Sequence, residues 1–135
     1  MNEINTAIYG TLNGATALTS LLAGTTSIYH LQAPDNATLP YVIFNLQAGG
    51  NENLTPKERL NELHYIRGYS DNSAAEAGTI AAQVNNLLHK KTLSVEGWAN
   101  FWCQREQRIE LIENQPSGDK VWSEGAFYRI RLEQT

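Results

Sequence analysis

The amino-acid sequence predicts one α+β domain, in which an antiparallel β-sheet carries helices packed on one face. Two observations predict the class: one strong helical pattern, Ser73–Lys90, lies between two regions rich in strand signals. Those regions alternate apolar and polar residues between short turns, which is typical of antiparallel sheets. A third observation is length, because 135 residues suit one domain. We therefore assign residues 1–135 to a single α+β domain.

The N-terminal part of the chain predicts two short helices. Apolar residues recur at intervals of three and four from Ile4 to Leu22, which is the pattern of one buried helical face. Asn13 and Gly14 interrupt this pattern, and the dipeptide favours a left-handed backbone. We therefore expect helices over about residues 3–12 and 16–23. One continuous helix weakened by its glycines is the alternative.

The middle of the chain predicts three strands and one long loop. Ser27–His30 and Tyr41–Leu46 are rich in β-branched and aromatic residues, and Pro40 can begin the second strand. Gln47–Glu58 combines glycines, asparagines, a proline and mixed charges, which is typical of a loop. Strand signals resume from Leu60 to Tyr69, with no clear inward face. Because the loop is longer than a hairpin needs, it is either a contact segment or a plain surface turn.

The strand Tyr41–Leu46 is apolar on both faces. Alternation places Val42, Phe44 and Leu46 on one face and Tyr41, Ile43 and Asn45 on the other. This pattern predicts an inner strand that is covered by a helix on one side and touched by a neighbouring chain or loop on the other.

The helix from Ser73 to Lys90 has recognisable ends. Ser73 and Glu76 have the spacing of a capping box, in which each side chain satisfies a free backbone N–H of the first turn. The cations expected to balance the negative end of the helix dipole are His89, Lys90 and Lys91.

Three strands follow this helix. They are predicted at Leu93–Val95, Phe101–Ile112 and Val121–Glu133, with a turn at Gln115–Gly118. The element order is therefore α-α-β-β-β-α-β-β-β. In the last strand, Phe127, Arg129 and Arg131 share one face, and we expect Arg105 and Arg108 of the preceding strand beside them. Such a surface is either a solvated face or a subunit contact built from arginine and aromatic residues.

Composition argues against several classes of function. The formal net charge of -4 is unusual for a dedicated nucleic-acid binder, which gathers lysine and arginine against phosphates. The chain shows neither the pattern of a signal peptide nor an apolar run of membrane-spanning length, so we expect it to fold in the cytoplasm. Cys103 has no second cysteine to pair with, and we expect it to be a buried small hydrophobe.

No residue pattern predicts catalysis, a metal or a cofactor. His30, His64 and His89 lie apart and lack partners at metal-ligand spacing. The Gly pair in AGGNENLT is not followed by the helix start of a phosphate-binding loop. A dyad of Cys103 and His64 across neighbouring strands is geometrically conceivable, but nothing in the sequence selects it. We therefore predict that the protein is not an enzyme.

The order of segments resembles a family of phage proteins. A helical start ending in SLLAG leads to IYHLQAPDNATLPYV, then a charged loop, a strand, one amphipathic helix and further strands. This order and the "IY…P…PYV" pattern resemble the tail-completion, or tail-terminator, proteins of long-tailed bacteriophages over nearly the whole chain. The resemblance implies a virion protein that forms a ring, commonly a hexamer, caps the tail tube and joins it to the head connector. The alternatives are another ring component of the neck, or a small ligand-binding or enzymatic domain.

The resemblance also implies partners, but it supplies no matched functional residues. The implied partners are further copies of the chain, the tail tube protein and a head-completion or connector protein. DNA would pass through the channel without sequence-specific binding, and no membrane is involved. The implied location is the head-tail interface of the virion, after assembly in the host cytoplasm.

Contact residues are therefore predicted from the chain itself. The candidates for a partner or ring interface are Tyr41, Ile43, Glu52, Leu54, Lys57, Arg59, Arg105, Arg108, Phe127, Arg129 and Arg131. A channel wall rich in lysine and arginine would hold phosphates, so a neutral or acidic wall suits DNA passage better. Glu52, Glu58 and Asp119 are the candidate acids of such a lumen. The alternative is that these acids only keep the protein soluble.

Overall fold

A computed structural model describes residues 1–24 and 26–135, and within them it contains three helices and one six-stranded sheet. In chain order the elements are α1 (Asn2–Asn13), α2 (Thr16–Thr19), β1 (Ile28–His30), β2 (Tyr41–Glu52), β3 (Arg59–Ser70), α3 (Ala74–Leu88), β4 (Ser94–Val95), β5 (Trp98–Asn114) and β6 (Lys120–Gln134). The α+β class and the predicted order of elements are confirmed. Among the helices in the described part of the chain, none is long and apolar enough to span a membrane.

The sheet is mixed, which corrects the prediction of a purely antiparallel one. Its strand order is β1-β2-β3-β6-β5-β4, and β1 runs parallel to β2 whereas the other neighbours are antiparallel. The connection between β1 and β2 is long enough for the chain to return and enter β2 in the same direction. The sheet curls like half a barrel, and α1 contacts both of its edge strands.

The core lies between the concave side of the curled sheet and the helices. Its cluster includes Ile4, Ile8, Leu12, Ile80, Val84 and Leu88 from the helices and Val42, Phe44, Ile66, Tyr128, Ile130 and Leu132 from the strands. Gly68 of β3 lets α3 approach, because a Cβ there would lie 2.5 Å from Cγ2 of Ile80. The inward face of β3, which the sequence left open, carries Leu60, Glu62, His64 and Ile66.

The two N-terminal helices are confirmed, but the break between them differs from the prediction. Gly14 is right-handed, with φ of -78°, and its N–H continues the helical turn by donating to the Gly10 carbonyl at 3.0 Å. The chain instead bends at Ala15, which is extended. α2 ends at Thr19, so it is shorter than the predicted helix over 16–23.

The predicted loop Gln47–Glu58 is wrong in its first half, because β2 continues to Glu52. This continuation pairs with β3 after a bulge at Gln47. Backbone hydrogen bonds from the neighbouring strand outweigh the low strand propensity of the Gly and Asn residues. The true loop is therefore 53–58.

The ends of α3 are only partly as predicted. Oγ of Ser73 accepts a hydrogen bond from the Glu76 N–H at 3.1 Å, which is half of a capping box. The other half is missing, because the Glu76 carboxylate accepts from the Ser70 hydroxyl at 2.7 Å. The helix ends at Leu88, and Nδ1 of His89 accepts a hydrogen bond from the Arg105 N–H at 3.0 Å. The His89 side chain therefore links the end of α3 to β5.

Candidate contact surface

The side of the sheet opposite the core carries a band of arginine, aromatic and acidic side chains, which we call the arginine face. Directly paired residues of neighbouring strands point to the same side of a sheet. The rows that face away from the core contain Tyr41, Ile43, Asn45 and Glu52 on β2, Arg59, Asn61, Tyr65, Arg67 and Tyr69 on β3, and Phe127, Arg129, Arg131 and Glu133 on β6. This band includes most of the interface residues predicted from the sequence.

Arg67 lies at the centre of the end of the arginine face that carries Tyr41, Tyr65 and Tyr69, which we call the aromatic end. Its guanidinium lies 4.4 Å from the centroid of the Tyr65 ring, and its Nε donates to the Tyr69 hydroxyl at 3.1 Å. A second N–H of the same group donates to Oδ1 of Asn45. Gly125 of β6 lets β3 come close at this point, because a Cβ there would lie 2.4 Å from Cβ of Arg67 and 2.4 Å from the Ile66 carbonyl oxygen. Arg67 is not among the contact residues predicted from the sequence, although the alternation Tyr-x-Arg-x-Tyr in β3 is visible there.

Tyr41 extends the aromatic end toward the edge of the sheet. Its ring centroid lies 5.7 Å from that of Tyr29 and 5.4 Å from that of Tyr69. Burial raises the pKa of Tyr41, so its hydroxyl stays protonated at neutral pH. Ile43, in contrast, is only 6% exposed within its own chain. Ile43 therefore offers little side-chain surface to a neighbouring chain.

The other end of the arginine face carries Glu52, Arg59, Arg131 and Glu133, and we call it the polar end. Arg129 lies next to this group. Its guanidinium binds both carboxylate oxygens of Glu106, each at 3.1 Å, and donates to Oδ1 of Asn61 at 3.1 Å. Such a bidentate pair fixes the plane of the guanidinium. Glu106 could not be assigned to this face from the sequence, because a bulge in β5 between Arg105 and Arg108 shifts the alternation.

Arg131 and Arg59 complete the polar end. Arg131 forms an ion pair with Glu52 at 3.0 Å, and Arg59 forms one with Glu133 at 3.1 Å. Both guanidinium groups also lie over the ring of Phe101, at 5.1 and 5.5 Å from its centroid. Arg59 and Arg131 thus each have an acidic and an aromatic partner within the chain, whereas Arg129 has an acidic and an amide partner.

Arg105 and Arg108 are not part of this surface, which corrects the prediction that they lie beside Arg129 and Arg131. They pair with Tyr128 and Ala126, whose side chains belong to the core side of the sheet. The bulge between them places both on that side. Arg108 is exposed there, 3.9 Å from Glu110.

The candidate lumen acids are not brought together. Glu52 and Glu58 lie near the loop 53–58, where Glu52 is paired with Arg131 and Glu58 accepts a hydrogen bond from Asn51 at 3.0 Å. Asp119 lies in the turn between β5 and β6, at the other end of the sheet. The two ends are roughly 40 Å apart along β6 at about 3.3 Å per residue. These three acids therefore cannot line one narrow ring of charge.

The loop 53–58 forms an exposed tip. Leu54 is 49% exposed, and Lys57 is also exposed. Nothing within the described chain covers the Leu54 side chain enough to explain an apolar residue there.

No convergent set of reactive groups accompanies this surface. Cys103 is buried, as predicted, and burial raises the pKa of its thiol to about 12, so it is a poor nucleophile. Cys103 and His64 do not lie on neighbouring strands, because β6 lies between β3 and β5. A cavity of about 730 Å³ between α1 and the β4 region is lined chiefly by small and polar residues such as Asn2, Thr6 and Ser94. In the described residues, no group of three potential metal ligands occurs.

Comparison with known proteins places the chain in a family. The sequence profile described as "Tail completion protein gp17" matches residues 6–123. The fold is similar to a chain in a solved structure of the "Virion of native gene transfer agent (GTA) particle", with a TM-score of 0.75 and 18% sequence identity. That similarity covers 98% of this chain and 96% of the other. No curated protein matches the sequence. The profile covers most of the chain and the fold agrees with a virion component, so the protein belongs to the tail completion protein gp17 family and is a structural protein of a phage-type virion tail.

Proposed function

We propose that this protein forms a hexameric ring that caps the tail tube and joins it to the head connector. Its partners in this proposal are copies of itself, the tail tube protein and a head-completion or connector protein. DNA passes through the ring without sequence-specific contacts.

The observation that supports this proposal best is the arginine face. Its arginines are held by carboxylates, amides and aromatic rings, so the surface is ordered before any partner arrives. Arginine and aromatic residues are enriched at protein interfaces, and a pre-ordered surface loses little side-chain entropy on binding. Because three of its four arginines are paired with carboxylates, this surface suits a protein partner better than a phosphate backbone.

The exposed tip of the β2–β3 hairpin is the second contact region of the proposal. Leu54 and Lys57 project from it, beyond the end of the paired strands. An exposed leucine on a loop tip gains free energy when a neighbouring subunit covers it. We therefore expect the loop 53–58 to contact another protomer or the tail tube in the assembled particle.

Native mass spectrometry tests the ring directly. We expect the full-length protein to form a closed oligomer, alone or together with the tail tube protein. The variant Leu54→Glu should shift the equilibrium toward monomer by about tenfold or more, because a charge would be buried at the contact. Leu54→Met keeps an apolar side chain at the same position and is the matched control. Monomers alone under both conditions would show that the ring proposal is wrong.

A further inference from the structure

The outer edge of β5 is the edge that does not face β6. Its backbone groups have hydrogen-bond partners near the start of the strand but, among the described residues, none near its end. β4 covers only its first two residues. The segment after α3 continues the cover, since the Lys90 N–H donates to the Cys103 carbonyl at 2.7 Å and the Arg105 N–H donates to Nδ1 of His89. Among the described residues, none forms a backbone hydrogen bond with this edge over 108–114.

The register shows which backbone groups this open stretch presents. Residues of an antiparallel pair alternate between directing their N–H and C=O groups toward the partner strand and away from it. The Gln115 N–H donates to the Asp119 carbonyl at 2.7 Å, so Gln115 faces β6. The register with β6 is unshifted back to Arg108. The residues that direct their backbone groups outward are therefore Arg108, Glu110, Ile112 and Asn114.

The same stretch exposes apolar side chains. Leu111 is 51% exposed and Ile112 is 53% exposed. A cavity of about 320 Å³ lies beside Ile112 and is also lined by Trp122 and Ala74. Natural proteins usually protect open edges with charges or bulges, because an open edge invites pairing with another strand. Here the open edge is combined with a recess that can take an apolar side chain.

The opposite edge of the sheet is open in a matching way. β1 pairs with β2 only over Val42–Phe44, and the last hydrogen bond between them runs from the Leu31 N–H to the Phe44 carbonyl at 3.0 Å. Beyond this point no other described strand pairs with β2 on its outer side, up to Glu52. Leu46, at the start of this open stretch, is 43% exposed.

The two open stretches lie at different heights of the sheet. Across the rows of paired residues, Leu46 is level with Arg105, and Val42 is level with Glu110. If two copies lay side by side at one height, β1 of one copy would meet the open part of β5 of the other. An offset of about 20 Å along the strands, which is roughly six residues, brings the two open stretches together.

We propose that the open edge of β5 receives the open edge of β2 from a neighbouring copy of this chain. β2 and β5 run in opposite directions within the sheet, so a rotation about an axis near the strand direction makes the added pair antiparallel. The contact joins two different edges, which is the heterologous geometry that a closed ring needs. This inference rests on the proposed ring and specifies which strands join its protomers.

The offset agrees with known barrel geometry. One copy contributes four strand spacings of about 4.8 Å between successive junctions, or roughly 19 Å. An offset of about 20 Å over this width inclines the strands by roughly 45° to the ring axis, at the upper end of the tilt seen in closed barrels.

Site-directed cross-linking of the full-length protein tests the strand junction. Leu46 and Ile112 lie in rows that face the core side of the sheet, so their side chains would be neighbours across the junction. In a Cys103→Ala background, Leu46→Cys and Ile112→Cys are made separately and together, and a short thiol cross-linker is added. The double variant should give a ladder of covalent multimers, and a mixture of the two single variants should give dimers. The Cys103→Ala protein without added cysteines is the control.

The outcomes separate this inference from the ring proposal. Dimers from the Ile112→Cys variant alone would indicate a two-fold pairing of β5 with β5 and would overturn the inference. A ring in native mass spectrometry without any cross-linked ladder would also overturn it, but would leave the ring proposal standing. Monomers throughout would contradict both.

Discussion

At the scale of single residues, the core contains a polar pair, His64 and Glu62, that is not part of the arginine face. Nε2 of His64 lies 2.9 Å from Oε1 of Glu62, and the two residues are 1% and 7% exposed. Gly49 leaves room for the glutamate, because a Cβ there would lie 2.9 Å from Cγ of Glu62. The hydrogen bond from His64 holds the pKa of Glu62 below its usual value. Nδ1 of His64 has no hydrogen-bond partner among the described residues.

This pair predicts a pH-dependent contribution to stability. Because the pKa of Glu62 is lower in the folded state, its contribution is present above the unfolded value of about 4.3 and is lost as the pH falls through the folded value. Glu62→Gln should lower the free energy of unfolding by about 1 kcal/mol at pH 7, and the difference from wild type should shrink below about pH 4. Urea denaturation across this range measures it, with the exposed Glu113→Gln as control. A constant difference at every pH would contradict the prediction.

At the scale of elements, the β5 strand shows where alternation misleads. Two bulges, between Asn100 and Trp102 and between Arg105 and Arg108, shift its register against β6. A bulge adds a residue to one strand only and reverses which side chains face the core after it. Simple alternation would place Arg105 and Arg108 on opposite faces, whereas the bulge places both on the core side and leaves Glu106 on the arginine face.

The start of α3 provides a prediction at this scale. Oγ of Ser73 satisfies the Glu76 N–H without help from a reciprocal glutamate. Ser73→Ala should lower the free energy of unfolding by about 1 kcal/mol, because one N–H of the first turn loses its acceptor. Ser73→Asp keeps an acceptor and should retain most of the stability. Urea denaturation at pH 7 compares the three proteins, and an equal loss in both variants would show that the cap is not the cause.

At the scale of the whole molecule, charge is distributed so that the arginines are largely compensated. Four arginines of the arginine face are held by acids, amides or aromatic rings. Asp119 lies at the opposite end from the β2–β3 tip and lines a cavity of about 650 Å³ together with Asp35 and Asp71. That end of the molecule therefore offers negative charge without a matching cluster of cations.

This distribution predicts a channel that does not hold DNA. In the assembled ring we expect a neutral or acidic lumen, because clustered cations would bind phosphates and slow the passage of DNA. Asp119 and Glu58 are the candidate acids without an ion-pair partner among the described residues, since each accepts only a neutral hydrogen bond whereas Glu52 is paired with Arg131. A charge map of the assembled channel from electron cryomicroscopy checks this. A lumen dominated by Arg105, Arg108, Arg129 and Arg131 would point to direct DNA holding instead.

The sequence by itself determined the order and type of the elements, because hydrophobic periodicity and turn residues act locally. It predicted α3, the β5–β6 turn and the face of β6 that carries Phe127, Arg129 and Arg131. Tertiary structure decided what depends on partners distant in sequence. Pairing with β3 extended β2 through its glycines, β1 became parallel to β2, and bulges set the sides of β5. These features are fixed by hydrogen bonds between strands, which leave no periodic signal in either strand alone.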